Sequence, residues 1–299
     1  MLDLRDMEII VALAQQRHFA RAAELCGISQ PALSIRIRNL ERKLGAPIVK
    51  RGNRFAGFTS EGEIALLWAR RVLQDVDNLR QDVISAKHGL TGEVTVGSVP
   101  TAISFVSRAM ARLRASQPGV TAKIRSANSN DIKRDLGEYA LDLGVTYLSR
   151  AAGSNMQTEP LYDERYVVLA HNSMLSNRPD TLSWRQASEL PLCLLSTDMN
   201  NRRIIDQVFA GVGVKPNTVL ETNALSATLV QVTWGHAATI APAILAQNVP
   251  LPEDVVIVPL DRPEVTEKIG LVWAAQEPEA PIVQAVVAAC REECDKHSL

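Results

Sequence analysis

The sequence is poor in sulfur, in aromatic residues and in long apolar runs. Four cysteines in 299 residues, Cys26, Cys193, Cys290 and Cys294, are too few for a disulfide framework and lack zinc-type pairing. A reduced, cytoplasmic protein without a metal or cofactor is therefore expected. No uncharged apolar stretch reaches the 18 residues that suggest a transmembrane helix. The opening Met1-Leu2-Asp3-Leu4-Arg5-Asp6 is charged and amphipathic rather than a signal peptide. Neither a glycine-rich phosphate loop nor a His-Glu-x-x-His pattern occurs. The five histidines, His18, His88, His171, His236 and His297, are scattered. These absences argue against an enzyme.

What is present is an uneven distribution of charge. Between Arg17 and Arg54 stand nine basic residues and only two acids, Glu24 and Glu41, although the whole chain carries a net charge of −1. A basic block on an otherwise acidic chain suits a polyanion partner. A solvated basic face without a partner has the same composition.

The block also has a helical pattern. Leu4, Met7, Ile10, Val11 and Ala14 recur at helical spacing over 3–16. Residues 19–26 read as a short second helix stopped by Gly27. Residues 29–44 read as a third, with Ser29 as N-cap, Pro31 in the first turn and a stripe of Leu33, Ile37, Leu40 and Leu44. Residues 47–55 read as a hairpin turning at Gly52-Asn53. Helix, tight turn, helix and basic hairpin make a winged helix-turn-helix. Its third helix must expose a polar face to the major groove while the other face holds the core. The outward residues are expected to be Gln30, Ser34, Arg36 and Arg38, which can bond base edges or phosphates. Arg51 and Arg54 in the hairpin suit phosphate or minor-groove contact.

Ser60-Glu-Gly-Glu63 has the form of a capping box, with Thr59 a rival N-cap. Ile64, Trp68, Val72, Val76, Leu79 and Val83 then recur at steps of three and four, giving one long helix with a single apolar stripe. Such a helix packs on another helix. A dimerising linker is expected, packing against its own chain being the alternative. Beyond Gly92 strands and helices alternate, which predicts parallel α/β sheets. Two subdomains joined by two crossovers would take ligands outside the strand C-termini. The expected division is 1–58, a DNA-binding domain, 59–91, a linker helix, and 92–299, an effector-binding domain. Its first subdomain covers about 92–162 and 267–299, and its second about 163–266.

Phe19-Ala-Arg-Ala-Ala-Glu-Leu25, Ile28-Ser-Gln-Pro-Ala-Leu-Ser34, Ile37-Arg-Asn-Leu-Glu41, Leu44-Gly45, Arg51 and Thr59-x-x-Gly62 closely resemble the LysR-type transcriptional regulators. The match is dense over 3–65. Gly92-x-Val-x-Val-Gly97, Leu141-Asp-Leu-Gly144 and Ile240-Ala-Pro242 extend it across the chain. The resemblance implies a periplasmic-binding-protein-like effector domain and a cytoplasmic regulator that responds to a small molecule. It implies homodimers assembling into homotetramers on promoter DNA with dyad symmetry, and contact with RNA polymerase is a further expected partnership. It places Gln30, Pro31, Ala32 and Ser34 in the major groove, with phosphate roles for Arg38 and Arg51. One departure is Ile35, where the family often has a polar or basic residue, followed here by Arg36.

The resemblance places the effector in a cleft lined by Ser98, Thr101 and Ala102, by Asn128 and Ser129, by Thr146, and from the second subdomain by Thr197, Asn200, Arg202 and Asn223. Several of these precede helices, so hydroxyls and backbone N–H groups there suit an anion, with Arg202 or Arg203 as counter-charge. Helix caps and turns use the same residue types. Aromatics at 4% disfavour a large aromatic effector and leave a small carboxylate or other anion. A redox-sensing regulator of the same fold is the alternative. Cys193 stands alone in an apolar strand, and Cys290 and Cys294 share one helix face beside acids that would raise a thiol pKa.

Overall fold

The computed structural model describes residues 2–50, 55–150, 156–175 and 179–295. The chain forms two compact units, Met1–Gly89 with Glu138–Ala140, and Leu90–Gly137 with Leu141–Leu299.

The first unit holds α1 (Leu4–Gln16), α2 (Phe19–Leu25), α3 (Gln30–Leu44) and the long α4 (Ser60–His88). A reciprocal capping box starts α1: the Asp6 N–H donates to Asp3 Oδ1 at 2.8 Å, and the Asp3 N–H donates back to Asp6 Oδ2. Ser29 caps α3 through the Ala32 N–H at 3.3 Å, and Pro31 occupies its first turn. Gly27 takes φ +64° just past α2, a conformation that favours glycine.

The core of this unit joins Ile9, Ile10, Leu13, Ala22, Ala23, Leu33, Ile37, Leu40, Ile48, Leu66 and Ala69. Ile10 of the expected α1 stripe is buried and Met7, Val11 and Ala14 pack against this core, which extends the stripe to Ile9 and Leu13 and leaves out Leu4. Ile9 and Leu13 are buried, whereas Leu4 is exposed and Met7, Val11 and Ala14 are only half-buried. Packing on α2, α3 and α4 buries the side through Ile9 and Leu13. Leu44 is exposed too, because it lies one turn beyond the last core position of α3.

Pairing of Val49 with Phe58, and the Lys50 N–H donating to the Gly57 carbonyl, form the base of the expected hairpin. Its tip, with the expected Gly52-Asn53 turn and with Arg51 and Arg54, lies outside the described residues. The cap of α4 is Thr59 rather than Ser60. Its Oγ1 accepts from the Gly62 N–H at 3.0 Å and donates to the Pro47 carbonyl at 2.6 Å, tying the helix start to the chain after α3. Gly62 is required there: a Cβ would meet the Ile48 carbonyl oxygen at 2.0 Å. Along α4, Leu66 and Ala69 enter the core, while Ile64, Trp68, Leu79 and Val83 stay exposed.

The second unit runs β1 (Thr91–Ser98), α5 (Ile103–Ser116), β2 (Gly119–Ser126), α6 (Ser129–Gly137), β3 (Leu143–Tyr147) and β4 (Met156–His171). It continues through β5 (Leu182–Ser183), α7 (Trp184–Ala187), β6 (Leu192–Leu195), α8 (Asn200–Gly211), β7 (Thr218–Thr222), α9 (Leu225–Thr233) and β8 (Thr239–Pro242). It ends with α10 (Ala243–Asn248), β9 (Val255–Asp261), β10 (Thr266–Ala274) and α11 (Pro281–Asp295). The main sheet has the order β2-β1-β3-β10-β4-β9-β5, with β8 also on β4, and β6 and β7 form a separate pair.

The expected all-parallel arrangement needs correction. β1, β2 and β3 are parallel, as are β6 and β7, but β10 is antiparallel to β3 and to β4, and β4 is antiparallel to β8 and β9. β10 follows β9 with no helix between them, so no βαβ crossover turns it parallel to β3. β4 is also sixteen residues long, more than the expected strand at 166–170. Its first part pairs with β10 and its last part with β8 and β9, so one strand serves both halves. Polar Gln157, Glu159, Asp163 and Arg165 hide that first part from a hydrophobicity reading.

Candidate functional site

Burial sets the orientation of α3. At 100° per residue, Leu33, Ile37 and Leu40 lie within about 60° of one another and face the core. The opposite direction carries Pro31, Ile35, Arg38 and Arg42, all exposed. Gln30 is exposed at the helix start and its Nε2 donates to Ser34 Oγ at 3.5 Å; Ser34 and Ala32 are half-buried.

Arg36 departs from the expected outward face. Its turn of the helix points toward the start of α1, where its guanidinium lies 3.8 Å from Asp6 and 4.0 Å from Asp3. Lys43 reaches the same buried Asp6 carboxylate at 2.6 Å. Arg36 and Lys43 thus compensate an acid that would otherwise be buried without a cation. Part of the basic excess is thus offset by Asp6, while Arg38 and Arg42 stand exposed on the outer face.

In the second unit, the expected effector residues form two groups. The first lies at the C-terminal ends of β1, β2 and β3. Ser98 is buried and its hydroxyl donates to the Val99 carbonyl at 3.0 Å. Thr146 Oγ1 donates to Ser129 Oγ at 2.8 Å, and both side chains are buried. Asn128 caps α6: its Oδ1 accepts from the Asp131 N–H and its Nδ2 donates to the Asp131 carboxylate, each at 2.9 Å. Thr101 and Ala102 are buried in the turn that enters α5.

The second group surrounds the start of α8. The Ser196 N–H donates to the Thr222 carbonyl at 2.8 Å, which ties the ends of β6 and β7 together. Thr197 and Asn223 are exposed, and Asn200 is buried. The counter-charge role expected of Arg202 is corrected. Its Nε donates to Asp206 at 2.9 Å, and one terminal nitrogen donates to Glu221 and to the Leu195 carbonyl, each also at 2.9 Å. Burial alone would lower the Arg202 pKa, yet bonding to Asp206 and Glu221 holds it above its ordinary value. This guanidinium clasps β6, β7 and α8 and has no charge left for a ligand. Arg203 is less committed; its Nε donates only to the Thr197 carbonyl, at 3.1 Å.

Two features were missed in the sequence. Glu164 on β4 is almost wholly buried and its Oε1 accepts from the Tyr147 hydroxyl at 2.7 Å and the Tyr166 hydroxyl at 3.0 Å. Burial pushes its pKa to about 7 against the pull of those hydrogen bonds. Neither Glu164 Oε2 nor the Thr101 hydroxyl makes a hydrogen bond of normal geometry. The signal was Tyr162-x-Glu164-x-Tyr166, a period-two pattern placing a carboxylate on an aromatic inner face. The second feature is a cavity of about 780 Å³ lined by Phe105, Tyr162, Tyr166, Trp184 and Ile244 among others. None of the ten expected effector residues lines it.

The cysteines sit in environments that suppress the thiolate. Burial raises the Cys26 and Cys193 thiols. Cys290 is pushed to about 12, chiefly by burial, and Cys294 to about 11 by burial and the neighbouring Asp295 and Glu293. Among the described residues, no group of three or more His, Cys, Asp or Glu could hold a metal, and no helix is long and apolar enough to cross a membrane.

The chain matches the family model "LysR substrate binding domain" over residues 87–295 and "Bacterial regulatory helix-turn-helix protein, lysR family" over 4–63. It is 26% identical to the DNA-binding transcriptional dual regulator OxyR of Escherichia coli K12, over 99% of this chain and 97% of that protein. It is equally 26% identical to a hydrogen peroxide-inducible genes activator of Haemophilus influenzae, over 98% and 97% respectively. Among solved structures it resembles a full-length OxyR variant from Pseudomonas aeruginosa, with TM-score 0.79, 23% identity and coverage of 97% and 95%. It also resembles full-length CbnR complexed with its target DNA, with TM-score 0.69, 20% identity and coverage of 98% and 100%. A winged helix-turn-helix, a long helix and a two-part α/β effector domain, matched over nearly the whole length, make this chain a member of the LysR family of DNA-binding transcriptional regulators.

Proposed function

We propose that this regulator is a cytoplasmic protein whose DNA binding is set by a small carboxylate or other small anion. The anion would lie between the strand ends of the first group and the start of α8. The observation that carries this reading is at α8. Its N-cap, Met199, supplies no side-chain acceptor, and the Nδ2 groups of Asn200 and Asn201 are buried without a hydrogen-bond partner. Unsatisfied N–H donors at a helix N-terminus suit an anion. Arg203 is the nearer candidate for counter-charge, since Arg202 is neutralised internally.

Residues 1–58 would bind DNA through Gln30, Pro31, Ala32, Ser34 and Arg38, with Arg51 and Arg54 on the backbone. Residues 59–91 would dimerise, and 92–299 would bind the effector. Dimers would pair into tetramers on a dyad-bearing promoter site and act through RNA polymerase. Ligand would bias one angle between the subdomains, and so the spacing of the paired DNA-binding units.

The test is a thermal-shift panel of small carboxylates and inorganic anions on the full chain. A ligand of the native state must raise the melting temperature. A hit lost in Asn200→Ala and Arg203→Ala supports the reading; a panel without any shift overturns it.

A second reading is favoured by the names of the relatives, several of which are hydrogen peroxide-inducible activators. The raised thiol pKa values oppose peroxide reactivity, which needs an accessible thiolate. Mass spectrometry after mild peroxide treatment separates the two readings: rapid oxidation of Cys193 would favour redox sensing.

A further inference from the structure

Ile35 is a large apolar side chain half exposed in the middle of a basic helix, and it lies opposite the buried stripe of Leu33, Ile37 and Leu40. Scattered apolar side chains are common on protein surfaces and need no explanation by themselves. This one has particular neighbours. Along the helix surface it lies between Pro31 and Arg38, with Asn39 one turn on and Arg42 two turns on. The outer face of α3 is therefore divided. Its first half, Pro31 and Ile35, is apolar; its second half, Arg38 and Arg42, is cationic. Arg36, the basic neighbour next in sequence, faces Asp3 and Asp6 instead.

We infer that Ile35 is a specificity-determining residue that reads a thymine in each half-site by packing on its C5-methyl group. This rests on the reading that α3 enters the major groove. There each base pair shows a distinct edge, and thymine alone offers an exposed methyl. A β-branched side chain in a helix has essentially one χ1 rotamer, so Ile35 presents a fixed apolar surface at little entropic cost. Cytosine at the same position would place its N4 amino group against that surface without a hydrogen-bond acceptor, a loss of polar solvation the thymine methyl does not incur. Arg38 and Arg42, farther along the same face, are placed to hold the helix to phosphates without reading sequence.

The experiment uses the full-length protein and a duplex selected by it from a random-sequence pool. Each thymine is replaced in turn by deoxyuridine, which removes only the methyl. The expected result for the natural protein is a loss of about four-fold in affinity at one symmetry-related thymine per half-site. That is the ~0.8 kcal/mol of one buried methyl(ene) group at 1.4 kcal/mol per ten-fold. Ile35→Ala should bind thymine and deoxyuridine duplexes equally, and Ile35→Val should retain part of the difference. Selected sites without a preferred thymine, uniform indifference to deoxyuridine, or a methyl effect that survives in Ile35→Ala would each overturn the inference. Arg38→Ala tests the underlying reading separately. If it left affinity and salt dependence unchanged, α3 would not lie on the DNA; if it weakened binding while the methyl effect was absent, only the role of Ile35 would fall.

Discussion

The Tyr147 hydroxyl donates to Glu164 Oε1 at 2.7 Å in a site where both side chains are closed to solvent. The carboxyl keeps its proton to about pH 7 in the folded chain because burial disfavours the anion. Its unfolded pKa is near 4.5. The folded state therefore binds the extra proton between these values, and stability falls as pH rises from 4.5 to about 7 and is level above. The size is on the order of 3 kcal/mol, from 1.36 kcal/mol per pKa unit. Urea denaturation of the natural chain and of Glu164→Gln at pH 5, 6, 7 and 8 checks this. The two should differ in slope over this range, and parallel profiles would exclude the assignment.

Arg202 ties three elements through Asp206, Glu221 and the Leu195 carbonyl. Arg202→Ala should destabilise the effector domain by about 3 kcal/mol, the lower end for breaking a buried ion pair, because both carboxylates are partly solvated. Arg203→Ala should leave stability within about 0.5 kcal/mol. Equal losses for the two variants, measured by chemical denaturation, would contradict the division of labour between these neighbours.

Gly62 lies where a side chain would strike the Ile48 carbonyl. Gly62→Ala should cost about 3 kcal/mol through forced separation of α4 from the chain after α3. Gly27→Ala, with open space around it but φ +64°, should cost about 1 kcal/mol. Thermal denaturation of the two variants should preserve this order.

Trp68 stands exposed on α4 with the Arg71 guanidinium 5.5 Å from its ring centroid. Ile64, Leu79 and Val83 are exposed as well, and all four fall within about 100° of one another around the helix. Trp68→Glu should convert dimers to monomers in light scattering. Dimers that persisted at low micromolar concentration would move the interface off α4.

Much of the fold was legible because its signals are local. Ser29, Pro31 and Gly27 mark the ends of α2 and α3, and Phe19 to Ser34 carries the helix-turn-helix pattern. The site was legible only as a set of positions. Thr146 bonds Ser129, and Ser98 pairs with Val145 in the neighbouring strand, but composition cannot tell a capping Asn128 from a ligand-binding one, nor a clasping Arg202 from a counter-charge. Those roles depend on partners distant in sequence, such as Glu221 for Arg202 and Asp6 for Arg36. Glu164 was hidden for the same reason: a carboxylate in a strand reads as solvent-facing until its neighbours across the sheet are known.

β4 belongs to both halves of the effector domain, paired with β10 along its first part and with β8 and β9 along its last. A strand shared in this way cannot slide without breaking ladders at both ends. Torsion remains. A small twist near Glu164 and Tyr166, where the partners change, would be magnified with distance along each half. Glu164 and Tyr166 stand where the partners of β4 change, so the buried carboxyl occupies the stretch of strand that the two halves share.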